Sequence, residues 1–538
     1  MCDCNQNATP DRPAPQPAAN NIEATSIGAA STEQLSVFHS NLLESAALAQ
    51  HLSGVRYRIL STLPIESGEK DDRAADTQAA RWSASIYDYT NNRSLEVAAD
   101  FPSASNTTVA VTSNQPLPSA EEWAEAADIV GRDSAFSQWI LCNRLVVYRP
   151  MPALLETPGP TGAADRTLLV GLLPLDSDTV RHQIVAVNMI TQRVINLPDG
   201  RPGISLADFT TCGIAPVFCP SPARGTPGSI WLSWPQANPV WRLQAVRPAS
   251  SSGGKGSGLE VRFVEYKGKR VLYRGHVPIL NVKYDNDACG PYRDWQYDEH
   301  CFQCDGDDLG SGFRRAHAAP KTACNGSDAG NFTGVAVYET LCELILTTEM
   351  EAGWYRYIQE WRFHLDGTIR PRFKFTAVSN SCVCKVHTHH CYWRFDFDIV
   401  TAGNNLVQEY NNPPIIPNTN WHKKEFEIKR FRDYGRHRKW RVSNTQTGDA
   451  YDIIPGPTDG VADPAFGKGD VWVLRYHGNE LDDGAPGAPA DLDKFVNGEL
   501  VDNQDVVLWY GAHFRHDVSE QGPGECHEVG PNLVPVQW

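Results

Sequence analysis

The chain lacks any run approaching the roughly 18 consecutive apolar residues that a membrane-spanning helix requires. Its opening residues, Met-Cys-Asp-Cys-Asn-Gln-Asn, also lack the basic and apolar regions of a secretion signal. These two absences make a soluble, cytoplasmic protein without membrane attachment the expectation. Positive charge is short as well: 48 basic residues face 64 acidic ones, a net charge of −16, which disfavours a nucleic-acid partner. Cysteine is too sparse for a disulfide scaffold, with 14 in 538 residues, yet plentiful for a cytosolic chain, so counting does not fix the compartment. Cys301 and Cys304 form a lone Cys-x-x-Cys. The other half of a zinc site would have to come from Cys324, Cys342, Cys382 or Cys384 at irregular spacing, which places free or disulfide-bonded cysteines ahead of zinc.

What is present divides the chain into regions of different texture. Residues 1–34 are rich in Pro, Ala, Asn, Thr and Ser without periodicity and predict a disordered arm. From Gln34 to His51, Leu35, Phe38, Leu42, Leu43 and Leu48 recur near helical spacing, and strand-like residues follow from Val55, predicting a small α+β domain over 35–115. Ser119-Ala-Glu-Glu122 is a capping box opening a helix with Trp123, Ala126, Ala127 and Val130, and strands at 144–148 and 167–173 complete a second α+β domain over 116–210. Beyond that, short strands punctuated by Gly, Pro and Asn predict one large β-sandwich over 211–538, with Lys267-Gly268 as a hairpin turn and 250–258 as a flexible internal loop. The basic run 422–441 alternates with Phe426, Ile428, Phe431 and Trp440, which predicts hairpin arms with a solvated face rather than a polyanion site.

Within the last region the run His387-Thr-His-His-Cys-Tyr-Trp-Arg-Phe-Asp-Phe-Asp398 carries the chemistry. His387 and His389, two apart on a strand, project from one face and suit a transition metal held by imidazoles. His390 points away by parity, while Cys391 shares the face of the pair and leaves a thiolate ligand open. Asp396 and Asp398 have the opposite parity, and Asp396 lies on the order of 23 Å along an unbroken strand from His389, so carboxylates and imidazoles serve separate ions. Each group also has an ordinary reading: packed histidines, solvated carboxylates and a core tyrosine.

Five separated stretches resemble the copper amine oxidases. The His-x-His pair is one, and Asp505-Val-Val-Leu-Trp-Tyr-Gly-Ala-His-Phe-Arg-His516 is similar to the family's segment bearing the third histidine. Trp354-Tyr-Arg-Tyr-Ile-Gln-Glu-Trp361-Arg-Phe-His-Leu-Asp-Gly367 resembles the stretch around the tyrosine that is self-processed to topaquinone. Arg270 to Tyr284 resembles the approach to a tyrosine that hydrogen-bonds the quinone, and Trp440-Arg-Val-Ser-Asn matches a late strand. The resemblance implies a mainly β fold, copper on His387, His389 and His516, and a second, calcium-like ion on Asp396, Asp398, Asp505 and the carbonyls of Phe397 and Val506. It further implies Tyr355 as topaquinone precursor, Tyr284 beside the quinone, and Asp298, fourteen residues after Tyr284, as catalytic base in an apolar channel. The implied reaction is oxidative deamination of a small primary amine by O2, giving aldehyde, ammonia and hydrogen peroxide, in a homodimer. Trp354 and Arg356 flank Tyr355 where the family has Asn and Asp or Glu. A copper-binding relative without topaquinone, non-catalytic or performing another O2-dependent reaction, is the alternative.

Overall fold

Apolar residues alternating with polar ones, broken by turn formers, build sheets, and the computed structural model of the chain is mainly β. It describes residues 21–538 except 28–29, 66–69, 71–79, 114, 152–153, 156–163, 176–182, 196–211, 216–226, 288–289, 381, 463–468, 482–491 and 517–525, with backbone alone for 283–287 and 290–292. Two four-stranded antiparallel sheets, one running from Tyr57–Pro64 to Thr108–Thr112 and one from Leu145–Tyr148 to Arg193–Ile195, are followed by two large sheets of ten and twelve strands.

The helices expected before each small sheet are present. Phe38, Leu42, Leu48 and Leu52 pack on Trp82, Ile86, Leu95 and Val97, each large apolar side chain contributing about 1.5–3 kcal/mol by its burial. The single helix expected over 34–51 is two, Thr32–Glu44 and Ala46–Leu52, because Ser45 adopts an extended conformation between them. In the second unit Ser119 caps the helix Ala120–Arg132 by accepting from the Glu122 amide. Glu122 itself is buried and takes two hydrogen bonds from Arg166, at 2.9 and 2.6 Å.

The large sheets face each other across one core. Trp361, Phe363, Phe373 and Phe375 of the twelve-stranded sheet meet Trp393, Phe395, Leu508 and Tyr510 of the ten-stranded one. In the ten-stranded sheet the central strand His387–Phe397 lies between Lys269–Asp287 and Val506–His516. In the facing sheet Tyr355–His364 lies between Glu343–Ala352 and Ile369–Ala377. Lys267 and Gly268, with φ of 50° and 72°, form the expected tight turn joining Glu260–Tyr266 to Lys269–Asp287.

Two sequence expectations are corrected. Glu23–Ile27, part of the expected disordered arm, is a strand paired antiparallel with Ser229–Trp234, where a sheet edge supplies the hydrogen bonds that composition does not reveal; residues 1–20 lie outside the described residues. The loop 250–258 is pinned rather than flexible: Ser252 Oγ donates to Glu260 at 2.8 Å, and the Ser257 amide donates to Ser251 Oγ at 2.8 Å. The basic run supplies hairpin arms as expected, Trp421–Lys424 pairing antiparallel with Asn405–Tyr410 and Lys439–Asn444 with Ala450–Ile454, while Ile428–Arg430 between them joins Val471–Arg475 in the other large sheet. Its charges are matched by Asp493, Glu409 and Asp452.

Candidate metal centre

Strand register closes the long sequence gap between the histidines. His516 stands directly opposite His387 on the neighbouring strand, and His389 follows two residues on, so all three rings share the face turned to the second sheet. Ring centroids of His387 lie 4.9 Å from His389 and 4.7 Å from His516, and all three residues are buried. The His387 Nδ1–H donates to the Lys385 carbonyl at 2.6 Å, which leaves Nε2 to accept from the Tyr355 hydroxyl at 2.7 Å. His389 is held between Phe375 and Phe514, at 4.2 and 5.1 Å, with Nδ1 3.4 Å from the Tyr357 hydroxyl. Its Nε2 is buried and has no hydrogen-bond partner among the described residues.

Burial, reinforced by the neighbouring imidazoles, pushes His387 down to about 3 and His389 well below the usual histidine range. Neutral imidazoles are the form that binds a metal, and a buried nitrogen aimed at nothing carries an uncompensated desolvation cost until a ligand meets it. The residues therefore fit a transition-metal ion of the copper type. Tyr355 arrives from the opposite sheet, fully buried, its ring 4.7 Å from that of His389 and stacked on Tyr357 at 5.6 Å.

The other end of the same strand differs. Asp396, Asp398 and Asp505 converge as expected, with Phe397 and Val506 opposite each other in register. Between the carboxylates lies Lys70, whose Nζ is 2.8 Å from one oxygen of each. Burial raises Asp398 and Asp505 above the usual carboxylate range; the neighbouring acids add to the rise and Lys70 opposes it. The calcium-like site thus has its expected carboxylates but a lysine ammonium in their midst.

Asp298 is buried, and its carbonyl accepts from the Glu351 amide at 2.9 Å, beside the hairpin in which Ala352 pairs with Tyr355. The apolar channel expected around it is instead charged: Arg149 pairs with its carboxylate, donates to the Tyr297 hydroxyl at 3.2 Å and covers the Trp295 ring at 4.6 Å. The Tyr284 backbone stands opposite His387, and its side chain lies outside the described residues. Asp294 is buried and accepts from the Tyr357 hydroxyl.

Comparison with solved structures bears on the fold. The structure superposes on a copper-containing benzylamine oxidase from Hansenula polymorpha with a TM-score of 0.56 and 13% identity, covering 93% of this chain and 96% of that one. The fold is that of the copper amine oxidases. Pichia pastoris lysyl oxidase gives a TM-score of 0.56 at 12% identity over 96% of this chain and 92% of its own. The Aspergillus nidulans amine oxidase gives 0.55 at 13%, over 98% and 90%. Among curated proteins, the copper-containing amine oxidase gamma 2 of Arabidopsis thaliana is 24% identical in a match that covers 34% of this chain and only 36% of that protein. No family model matches the chain.

Against the copper amine oxidase signature, both unusual neighbours of Tyr355 have a structural explanation. Trp354 is buried, 6.5 Å from the Tyr148 ring of the second small sheet. Arg356 donates to both oxygens of Asp328, at 2.6 and 3.0 Å, and lies 3.8 Å from Glu351. His300 joins the cluster at 2.9 Å from Asp328 and 2.9 Å from Glu351, and is raised to about 9 by those carboxylates against its burial and the repulsion of Arg356. The acid that the signature carries next to the tyrosine is thus replaced by a buried arginine with acids around it.

His390 turns to the opposite face, its Nδ1 2.8 Å from that of His513. Cys391 is a buried thiol pushed well up by burial, which does not suit a thiolate ligand. Cys301 is disulfide-bonded and Cys304 is a free buried thiol, so the Cys-x-x-Cys is no zinc half-site. Sequence reading missed Lys70, Arg149, Tyr357 and His527, whose ring lies 5.6 Å from that of His516. Of these, Tyr357 alone carried a signal, being two residues from Tyr355 and hence on its face.

Proposed function

We propose that this chain is a copper-dependent amine oxidase that converts a primary amine, O2 and water to an aldehyde, ammonia and hydrogen peroxide, using a quinone formed from Tyr355. The observation that carries the reading is the hydrogen bond from the Tyr355 hydroxyl to His387 within a cluster of three buried imidazoles. When bound, copper on His387, His389 and His516 would supply redox chemistry with O2, and the quinone the electron sink for the amine. The chain's own residues do the rest. The Lys385 carbonyl and the Tyr357 hydroxyl fix the ring planes of His387 and His389, and Phe375 and Phe514 cover the His389 ring.

Asp298 is the proposed acceptor of the substrate α-proton, its carboxylate held by Arg149, which also donates to the Tyr297 hydroxyl. Tyr284 is proposed to hydrogen-bond the quinone, its backbone opposite His387 placing it at the same end of the sheet. The separate small sheets support a division near residues 115 and 210. A homodimer is proposed from the resemblance of the large sandwich. The disulfides Cys212–Cys384 and Cys324–Cys526 support an oxidising compartment over the cytoplasm expected from the sequence.

The guanidinium on Asp298 favours a second reading, in which copper is bound but no amine is turned over. One experiment separates them: the protein is loaded with copper in air, digested, and the Tyr355 peptide weighed, with phenylhydrazine added to the intact protein in parallel. A gain of two oxygens less two hydrogens and a coloured adduct are expected; an unchanged peptide would reject the quinone.

A further inference from the structure

The carboxylates at the far end of the metal strand are the kind of donors that take calcium, yet the geometry points to an occupant supplied by the chain. We propose that Lys70 is the resident cation of the Asp396, Asp398 and Asp505 cluster, holding the place of a divalent ion, and that the native protein takes no calcium there.

An ammonium has three N–H donors and no acceptor, and here three carboxylates each offer one oxygen at 2.8 Å, so every donor is used. Calcium would need those same oxygens at about 2.3–2.6 Å, which is the volume the nitrogen fills, together with three to five further oxygen ligands. Among the described residues, two aromatic rings also approach the nitrogen. The Tyr476 ring covers Nζ at 4.0 Å and the Tyr273 ring at 5.0 Å, an aromatic wall that suits an ammonium. Charge agrees as well: Arg394 lies 3.8 Å from the far oxygen of Asp396, so two cations already face three carboxylates.

Lys70 comes from the segment after the strand Tyr57–Pro64 of the first small sheet, 326 residues before Asp396 in sequence. The cluster therefore fastens the first small unit to the large sandwich, a mechanical role that a bound ion would not perform. The inference stands on this geometry alone, whether or not Tyr355 is converted.

The test uses the full chain, dialysed against EGTA, reloaded with copper and titrated with calcium chloride, with terbium as a luminescent probe excited through Tyr476. The native protein is expected to retain no calcium by elemental analysis, to show no sensitised terbium emission, and to keep its melting temperature. In Lys70→Ala, and in Lys70→Met, which retains most of the apolar stem, terbium emission should appear, and calcium at about 100-fold over its dissociation constant should raise the melting temperature by a few degrees. One calcium per native chain overturns the proposal, as do folded variants that gain no cation binding. Should both variants fail to fold, the native measurement still decides. Copper content, read separately, shows whether the imidazole site has failed, so the two outcomes are not confused.

Discussion

The two ends of the strand His387–Phe397 present the same problem, a cluster of buried donors, and resolve it in opposite ways. At the imidazole end burial holds His387 and His389 below the usual histidine range, and one buried nitrogen of His389 faces no partner among the described residues. At the carboxylate end each acid already meets the Lys70 ammonium. Neutral donors can wait for an ion because their repulsion is small, whereas three carboxylates packed together without a cation would repel by several kcal/mol. Asp298 follows the carboxylate pattern, since Arg149, just after the strand Leu145–Tyr148, supplies its cation. Each small N-terminal unit thus sends one basic side chain onto acids of the sandwich. What distinguishes a site ready for metal from a structural one here is whether the chain carries its own counter-ion.

That contrast breaks first at Asp298, which has a counter-ion and a proposed catalytic task. Asp298→Asn should lower amine turnover on the order of 10²–10⁴-fold while leaving the Tyr355 peptide mass of the copper-loaded protein as in the native chain. Unaltered turnover, measured as peroxide release, would place Asp298 wholly with the structural carboxylates. Arg149→Met is next: it leaves a buried carboxylate without its cation and should cost about 3–5 kcal/mol in denaturant unfolding, whereas a cost under 1 kcal/mol would show that the pair is not structural. At the waiting end, His389→Ala removes one of three donors. Copper affinity by competition titration should fall by at least about 100-fold, and apo stability by about 2–5 kcal/mol for the cavity left between Phe375 and Phe514.

Acid should act on the two ends with opposite sign. His387 is depressed from 6.5 to about 3, so the folded apo chain refuses a proton that the unfolded chain accepts; its contribution is present above pH 6.5 and is lost as pH falls toward 3. Asp398 and Asp505 are raised, so the folded chain holds protons that the unfolded chain releases, and their contribution is lost as pH rises above the ordinary 3.8. Between pH 4 and 6.5 the slopes oppose. His387→Ala in the apo protein should make stability fall less steeply on acidification than in the native chain, and Asp398→Asn should make it fall more steeply. Identical slopes for the two variants, by denaturant midpoint across pH, would remove the distinction.

How much of this was legible depended on whether a residue worked through local pattern. The β class, the Ser119 cap, the Lys267-Gly268 turn and the His387/His389 pair were readable, because parity and turn chemistry are local properties that the sheets preserve, whereas His516 entered only through the family resemblance. Lys70 and Arg149 were not, since a lone basic residue outside any periodic run gives no sign of which acid it will meet 326 or 149 residues away. The apolar setting expected around Asp298 failed for the same reason: the cation that changes it comes from another unit. Glu23–Ile27 failed because an edge strand needs only backbone groups, and composition does not report those.

The smallest effect concerns what keeps the imidazole end ready. Tyr357 offers its hydroxyl to Asp294, a buried carboxyl pushed well up by its burial, and stands 3.4 Å from His389 Nδ1. Tyr357→Phe leaves ring stacking on Tyr355 in place but removes that hydroxyl from both partners. Because the bond to His389 is long, copper affinity should fall by only about 10-fold, the lower end of what orienting partners contribute, and stability by about 1 kcal/mol. A loss as large as that of His389→Ala would mean that the tyrosine hydroxyl is itself a donor to the ion. No loss at all would mean that Phe375 and Phe514 alone fix the ring, and that the waiting site is built by packing rather than by hydrogen bonds.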